Sequence, residues 1–107
     1  MKDYVKKNDL IKIAQIYYKG RDKSHGIDHV MAVYNNSLKI IKGTNISERY
    51  KSIVLAAALL HDTYDHKYVK ESEIYKVINK IKKDLISIGF KEKDCSLVIK
   101  IIDNISY

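Results

Sequence analysis

The chain has 107 residues, 46% of them hydrophobic, and its 20 Lys and Arg against 13 Asp and Glu give a formal net charge of +7. This apolar content excludes a disordered chain, and the absence of proline together with the presence of only four glycines excludes a turn-rich β fold. No apolar segment reaches the length of a transmembrane helix and the N-terminus lacks the apolar core of a signal peptide, so we expect a single domain over residues 1–107 without a membrane partner.

The first two predicted helices occupy about residues 3–19 and 27–42. Apolar residues recur at helical spacing in both, and Gly20 and Gly43 follow their ends, where glycine commonly terminates a helix. In the polar connection between them, Ser24 or a neighbour can cap the second helix. The apolar positions predicted for the first helix are Tyr4, Leu10, Ile13, Ala14, Ile16 and Tyr17.

The third predicted helix is the one around which the others pack. It carries an unbroken apolar run at 53–60, followed at once by His61 and Asp62. The loop ahead of it, residues 44–47, offers capping residues, and Asn45 with Glu48 has capping-box spacing. A helix that is apolar on every side must be surrounded by protein. Ionisable groups at its C-terminal end are costly unless they are compensated, and a bound cation would compensate them because the helix end is itself partially negative.

Two further helices follow, so the predicted fold class is all-α, a bundle of about five helices with a buried central one. The fourth helix has an apolar face at helical spacing and ends before Gly89, and the fifth begins near Asp94, which we predict as its N-cap. The apolar faces of these two helices comprise Ile74, Ile78, Ile81, Leu85, Ile88, Leu97, Val98, Ile101, Ile102 and Ile105.

All four His of the chain lie in two segments, at positions 25, 29, 61 and 66. His61 and Asp62 are adjacent, so their side chains leave a helix about 100° apart, yet both can reach one ion where the helix terminates beside it. Imidazole and carboxylate ligands suit a divalent ion such as Mn, Fe, Ni, Zn or Mg. An isolated His is more often an ordinary core or surface residue, but two His segments and a buried His-Asp pair favour a metal site.

The segments SHGIDHVMAV (24–33) and AALLHDTYDHKY (57–68) resemble the HD-domain metal-dependent phosphohydrolases, and best the small stand-alone members that act on nucleotides. The signature of that family is a His on one helix, a His-Asp pair on a later helix and a further Asp near the C-terminus. The resemblance implies an HD-like fold with a divalent metal held by His29, His61 and Asp62. It also implies hydrolysis of a phosphoester or phosphoanhydride in a small phosphorylated substrate, most consistently a nucleotide.

The resemblance also implies roles for the neighbouring polar residues. Asp65 falls where related alarmone hydrolases carry an acid that orients the attacking water, which implies a catalytic general base beside the metal-bound, catalytic Asp62; an ordinary solvated acid is the alternative for Asp65. His25 would contact phosphate, or equally serve as a capping or structural group. Lys67 and Lys23 would neutralise substrate phosphate, or are simply surface charges.

The chain departs from the family pattern at its C-terminal end. The last metal-binding Asp of the family lies in an Asp-Ala-Asp-like motif, on a helix beyond the point where this sequence stops. Asp103 is the only late acid, and it lies one element too early. Three explanations of this departure are therefore open: a water molecule takes the place of the fourth ligand, the chain is truncated at its C-terminus, or it is a degenerate member of the family. The alternative function is an HD-fold domain with weak or no catalysis that binds a nucleotide or a protein partner.

A nucleic-acid partner is not expected despite the positive net charge. Arg21 and Arg49 are the only Arg, and Lys is spread over nearly every predicted polar face without interleaved aromatic residues, which is typical of solvated surfaces. The single Cys95 cannot form an internal disulfide and favours a reducing, cytoplasmic setting. The composition is typical of a low-GC bacterium or a large DNA virus, and for a virus the expected location is the host cytoplasm.

Overall fold

A computed structural model describes residues 7–20, 26–64 and 69–105, the last of them by its backbone alone. These ranges contain five α-helices and a 3-10 turn at Glu71–Glu73, and no strand occurs within them. The predicted all-α fold class is confirmed, and α2 has the predicted bounds. The helices are α1 (Lys7–Tyr18), α2 (Ile27–Lys42), α3 (Glu48–Leu60), α4 (Ile74–Ser87) and α5 (Glu92–Ile105).

Helix α3 lies at the centre of the bundle, as the sequence predicts, and packs against α1, α2 and α5. Its apolar run supplies Ile53, Leu59 and Leu60 to the core, each no more than 1% exposed. Ala56 and Ala57 are equally buried, and small side chains let neighbouring helices approach closely. Ile53, Ala56, Ala57 and Leu60 follow the i, i+3, i+4, i+7 pattern and share one face, with Leu59 beside it, so this face holds the end of α3 in the core.

The N-termini of α2 and α3 differ in detail from the prediction. The N-cap of α3 is Ser47, which belongs to the loop predicted to offer capping residues, and its hydroxyl accepts a hydrogen bond from the Tyr50 backbone N–H at 3.3 Å. The capping-box spacing of Asn45 and Glu48 does not mark the cap, because the helix begins at Glu48. Helix α2 follows Gly26 without a side-chain cap. Ser24, predicted as a possible cap, lies outside the described residues.

The core-facing side of α1 includes Tyr18, which the predicted apolar set leaves out. Tyr18 is 2% exposed, whereas Ile16, which that set includes, is 66% exposed. Helical spacing explains the difference, since Leu10, Ala14 and Tyr18 follow one another at four-residue intervals on one face. Ile16 lies two residues, or about 200°, away from both Ala14 and Tyr18 around the helix.

Helix α5 begins at Glu92, so Asp94 lies in its first turn and the predicted N-cap is wrong. Asp94 is completely buried and accepts hydrogen bonds from Arg49, from Nε at 3.0 and 3.1 Å and from Nη2 at 2.6 Å. Its carboxylate therefore joins α5 to α3 instead of capping its own helix. A negative side chain in the first turn is also favoured by the helix dipole.

Helix α1 is joined to α4 by Tyr17, whose hydroxyl donates a hydrogen bond to Asp84 Oδ2 at 2.8 Å. Burial raises the pKa of Tyr17 well above the ordinary tyrosine value, and the hydrogen bond to Asp84 raises it further because it holds the phenolic proton. The two adjacent tyrosines of α1 thus point to different neighbours.

None of the helices in the described ranges combines the length and apolar character that crossing a membrane requires.

Candidate metal site

The two His-containing segments meet where α3 ends. His29, in the first turns of α2, His61, the residue that follows α3, and Asp62 each offer a ligand atom, and these three atoms lie within 4.8 Å of one another. The rings of His29 and His61 have centroids 6.2 Å apart and are tilted by 58°. The structure therefore places the three predicted metal ligands together, two of them from one turn and the third from a different helix.

The hydrogen bonding of His61 indicates which of its nitrogens is available to a metal. Nδ1 lies 2.7 Å from the carbonyl oxygen of Ala58. Because a carbonyl oxygen can only accept, Nδ1 carries the proton and donates it. In the neutral imidazole Nε2 then keeps its lone pair. Nε2 lies 3.3 Å from Oδ2 of Asp62.

The site lies at the boundary between core and solvent. The side chains of His61 and Asp62 are 19% and 17% exposed, and His29 is exposed. His61 and Asp62 are thus half-buried beside the core, while the exposed His29 lies on the solvent side of the site. A small polar molecule could approach an ion held here. The partial negative charge at the C-terminal end of α3 adds to the charge of Asp62 and favours a cation.

Hydrogen bonds from Thr63 to the last residue of α3 hold the turn that follows this helix. Thr63 is 1% exposed, its backbone N–H donates to the Leu60 carbonyl at 3.1 Å, and its hydroxyl donates to the same carbonyl at 2.8 Å. A bond to the residue three positions earlier is the tighter 3-10 pattern, which is common at helix ends. The chain therefore leaves the α-helical path at His61 and Asp62, and atoms of these adjacent side chains lie close together.

Asp103 takes part in a different interaction. Its Oδ1 accepts a hydrogen bond from the Tyr64 hydroxyl at 2.7 Å, which links the turn after α3 to α5. Burial, then this hydrogen bond, raises the pKa of Tyr64 well above the ordinary tyrosine value. In the part of the chain that the structure describes, the set of convergent ligand atoms contains His29, His61 and Asp62 and does not include Asp103.

The other residues predicted for the site are His25, Lys23, Asp65 and Lys67, and all four lie outside the described residues. Their roles stay predictions. The residue that sequence reasoning missed is Tyr18, whose buried hydroxyl contacts the backbone on both sides of the α3 end. Its position at the end of the Leu10, Ala14, Tyr18 series was the available signal that this side chain faces the core.

Comparison with known proteins gives one relative and no family assignment. An uncharacterized protein of Acanthamoeba polyphaga mimivirus is 43% identical to this chain over 51 residues, which are 48% of this chain and 21% of the relative. The match thus spans about a fifth of the length of that viral protein. No family model matches the chain. No solved structure matches it either.

Proposed function

We propose that this protein is a metal-dependent phosphohydrolase that cleaves a phosphoester or phosphoanhydride bond, with a nucleotide as the substrate class. The observation that carries the proposal is the convergence of His29, His61 and Asp62 from two helices, with ligand atoms within 4.8 Å of one another. The resemblance of segments 24–33 and 57–68 to HD-domain phosphohydrolases supports it, because these three residues occupy the ligand positions of that signature.

The donor set fits a divalent ion. Two imidazoles and one carboxylate suit Mn, Fe, Ni or Zn, and the carboxylate also suits Mg. The His61 Nδ1–H bond to the Ala58 carbonyl, at 2.7 Å, fixes the ring and leaves Nε2 for coordination, which is the arrangement common among metal-binding His. Three protein ligands leave positions for water and substrate, as catalytic metal sites require.

A divalent ion at this position would polarise a phosphoryl oxygen and lower the pKa of a bound water. The chain itself supplies the orientation: His61 is held by Ala58, and Asp62 lies beside it with its oxygen 3.3 Å from Nε2. Asp65 follows three residues later and is proposed, from the resemblance, to accept the proton of the attacking water. Lys67, Lys23 and His25 are proposed to contact substrate phosphate, which cations at the mouth of a site stabilise.

A second candidate function is a domain with this fold that binds a nucleotide or protein partner and turns over little or nothing. The observation that favours it concerns the fourth ligand. The late acid Asp103 is hydrogen-bonded to Tyr64 at 2.7 Å and lies outside the cluster of convergent ligand atoms. A site with fewer protein ligands binds its metal less tightly, and loss of metal would remove catalysis while leaving the helical bundle intact.

Metal reconstitution combined with a nucleotide panel separates the two candidates. The protein is stripped with a chelator, reloaded separately with Mn²⁺, Zn²⁺ and Mg²⁺, and assayed for phosphate release from nucleoside mono-, di- and triphosphates. We expect one bound ion per chain and turnover that depends on reloading. Bound metal without turnover across the panel would favour the binding domain. A chain that binds none of these ions would contradict the proposed metal site itself.

A further inference from the structure

We propose that Tyr18 is a positioning residue for the metal site, because its hydroxyl holds the end of α3 in the shape that directs His61 and Asp62 at one ion. This inference rests on the proposed function, since it concerns the same site. Tyr18 is the last residue of α1 and is 2% exposed. The core therefore holds its ring in place, and its hydroxyl reaches the end of α3 from a different helix, α1.

The Tyr18 hydroxyl makes two hydrogen bonds across the end of α3. It donates to the carbonyl oxygen of Leu59 at 3.0 Å and accepts the backbone N–H of Asp62 at 3.1 Å. A phenolic hydroxyl can do both at once. The last carbonyls of a helix lack intrahelical partners and are commonly satisfied by side chains or water. Here one buried side chain ties the last turn of α3 and the peptide of a metal ligand to the core.

The ring of His61 is held at the same end of α3. In a continuing α-helix the N–H of Asp62 would donate to the carbonyl of Ala58, four residues earlier. In the structure that carbonyl accepts Nδ1–H of His61 at 2.7 Å, while the Asp62 N–H donates to Tyr18 at 3.1 Å. The tyrosine hydroxyl thus serves as the acceptor for the Asp62 N–H, while the His61 imidazole bonds to the Ala58 carbonyl. The peptide of Asp62 and the ring of His61 are thus each held by a hydrogen bond at the end of α3.

The adjacent Tyr17 provides a matched control. It lies on the same helix, and its hydroxyl also donates one hydrogen bond to another part of the bundle, to Asp84 on α4 at 2.8 Å. Tyr17→Phe therefore removes a hydroxyl and an interhelical bond without altering the end of α3. Tyr18→Phe removes the same atom one position later and keeps the ring that fills the core. A difference in metal affinity between the two variants therefore reports on the hydrogen bonds that Tyr18 makes at the end of α3.

The test is a Mn²⁺ titration of the wild-type protein, Tyr18→Phe and Tyr17→Phe, well below the unfolding midpoint of all three. We expect Tyr18→Phe to bind one Mn²⁺ about 10-fold more weakly, a size typical of residues that orient metal ligands. Tyr17→Phe should bind as the wild type does, although both variants lower the unfolding midpoint. In the metal-free protein, the Asp62 amide should exchange its hydrogen faster in Tyr18→Phe than in the other two.

Two results would overturn the positioning role: wild-type Mn²⁺ affinity in Tyr18→Phe, or equal losses of affinity in both variants. Hydrogen exchange at the Asp62 amide separates failure of the Tyr18 positioning role from failure of the proposed function. A wild-type chain that binds no Mn²⁺ would contradict the metal site, yet the exchange rate at Asp62 would still decide whether Tyr18 orders the end of α3. Unchanged exchange at Asp62 in Tyr18→Phe would contradict the inference with or without metal.

Discussion

Replacing His61 by alanine is expected to lower Mn²⁺ affinity, and with it Mn²⁺-dependent nucleotide hydrolysis, by about 100-fold or more. Loss of a residue that only orients a metal ligand already costs about 10- to 100-fold, so removal of the ligand itself should cost at least as much. Asp62→Ala should have a comparable effect. Isothermal titration with Mn²⁺ and a phosphate-release assay on the same samples measure both quantities, and circular dichroism checks that the helices persist.

A double variant tests whether the two helices serve one ion. If His29 and His61 bind the same metal, His29→Ala combined with His61→Ala should lose little beyond the larger single effect, since residues that act as a unit are strongly non-additive. Asp103→Asn is the control, because its carboxylate contacts Tyr64 and lies outside the ligand cluster. It should keep wild-type Mn²⁺ affinity. Hydrolysis at the wild-type rate in His61→Ala alone would contradict the assignment of phosphohydrolase activity to this metal site.

Arg49→Met is expected to lower the free energy of unfolding by about 3 kcal/mol, because it leaves the buried Asp94 carboxylate without this guanidinium. Removing one partner of a buried ion pair typically costs about 3 to 5 kcal/mol, and the 33% exposure of the Arg49 side chain puts this pair at the lower end. For a chain of this size the unfolding midpoint should fall by about 12 to 20 °C. Thermal and urea unfolding measure the change.

Lys51→Met is the matched control for this prediction. Lys51 lies on the same helix and pairs with Glu48 at 3.4 Å, with side chains that are 31% and 55% exposed. Solvent screens such pairs, so the cost should stay below about 0.5 kcal/mol. The double change of Arg49→Met and Asp94→Leu should recover part of the loss, because apolar replacement of both partners is often neutral. Equal destabilisation by Arg49→Met and Lys51→Met would show that the buried pair has no special role.

The sequence predicts the helices well where an apolar face is continuous. Helix α2 has its predicted bounds, and α3 lies at the centre because its apolar run at 53–60 has no polar side to turn to solvent. Side chains that bond across helices were less accessible to prediction. Asp94 has the residue type and approximate position of an N-cap, yet it is used by Arg49, which lies 45 positions away in the chain.

In the candidate site, too, residue types could be predicted from the sequence and contacts between helices could not. Residue types alone predicted a metal site, because two His segments and a His-Asp pair are readable from the chain. The resemblance to HD-domain phosphohydrolases, and not the spacing, predicted His29, His61 and Asp62 as its ligands. The role of Tyr18 was not readable, since a tyrosine next to another tyrosine gives no indication of which hydroxyl reaches a backbone 44 residues later. Hydrogen bonds at the end of a helix depend on how two helices pack, and local sequence does not contain that information.

The most direct test of the shared metal site is an anomalous difference map from a crystal of the protein soaked in Zn²⁺. We expect a single strong peak about 2.0 to 2.2 Å from Nε2 of His61, a ring nitrogen of His29 and a carboxylate oxygen of Asp62. A peak at any other position, or a map in which His29 points away from the His61–Asp62 pair and no ion lies between them, would contradict this expectation.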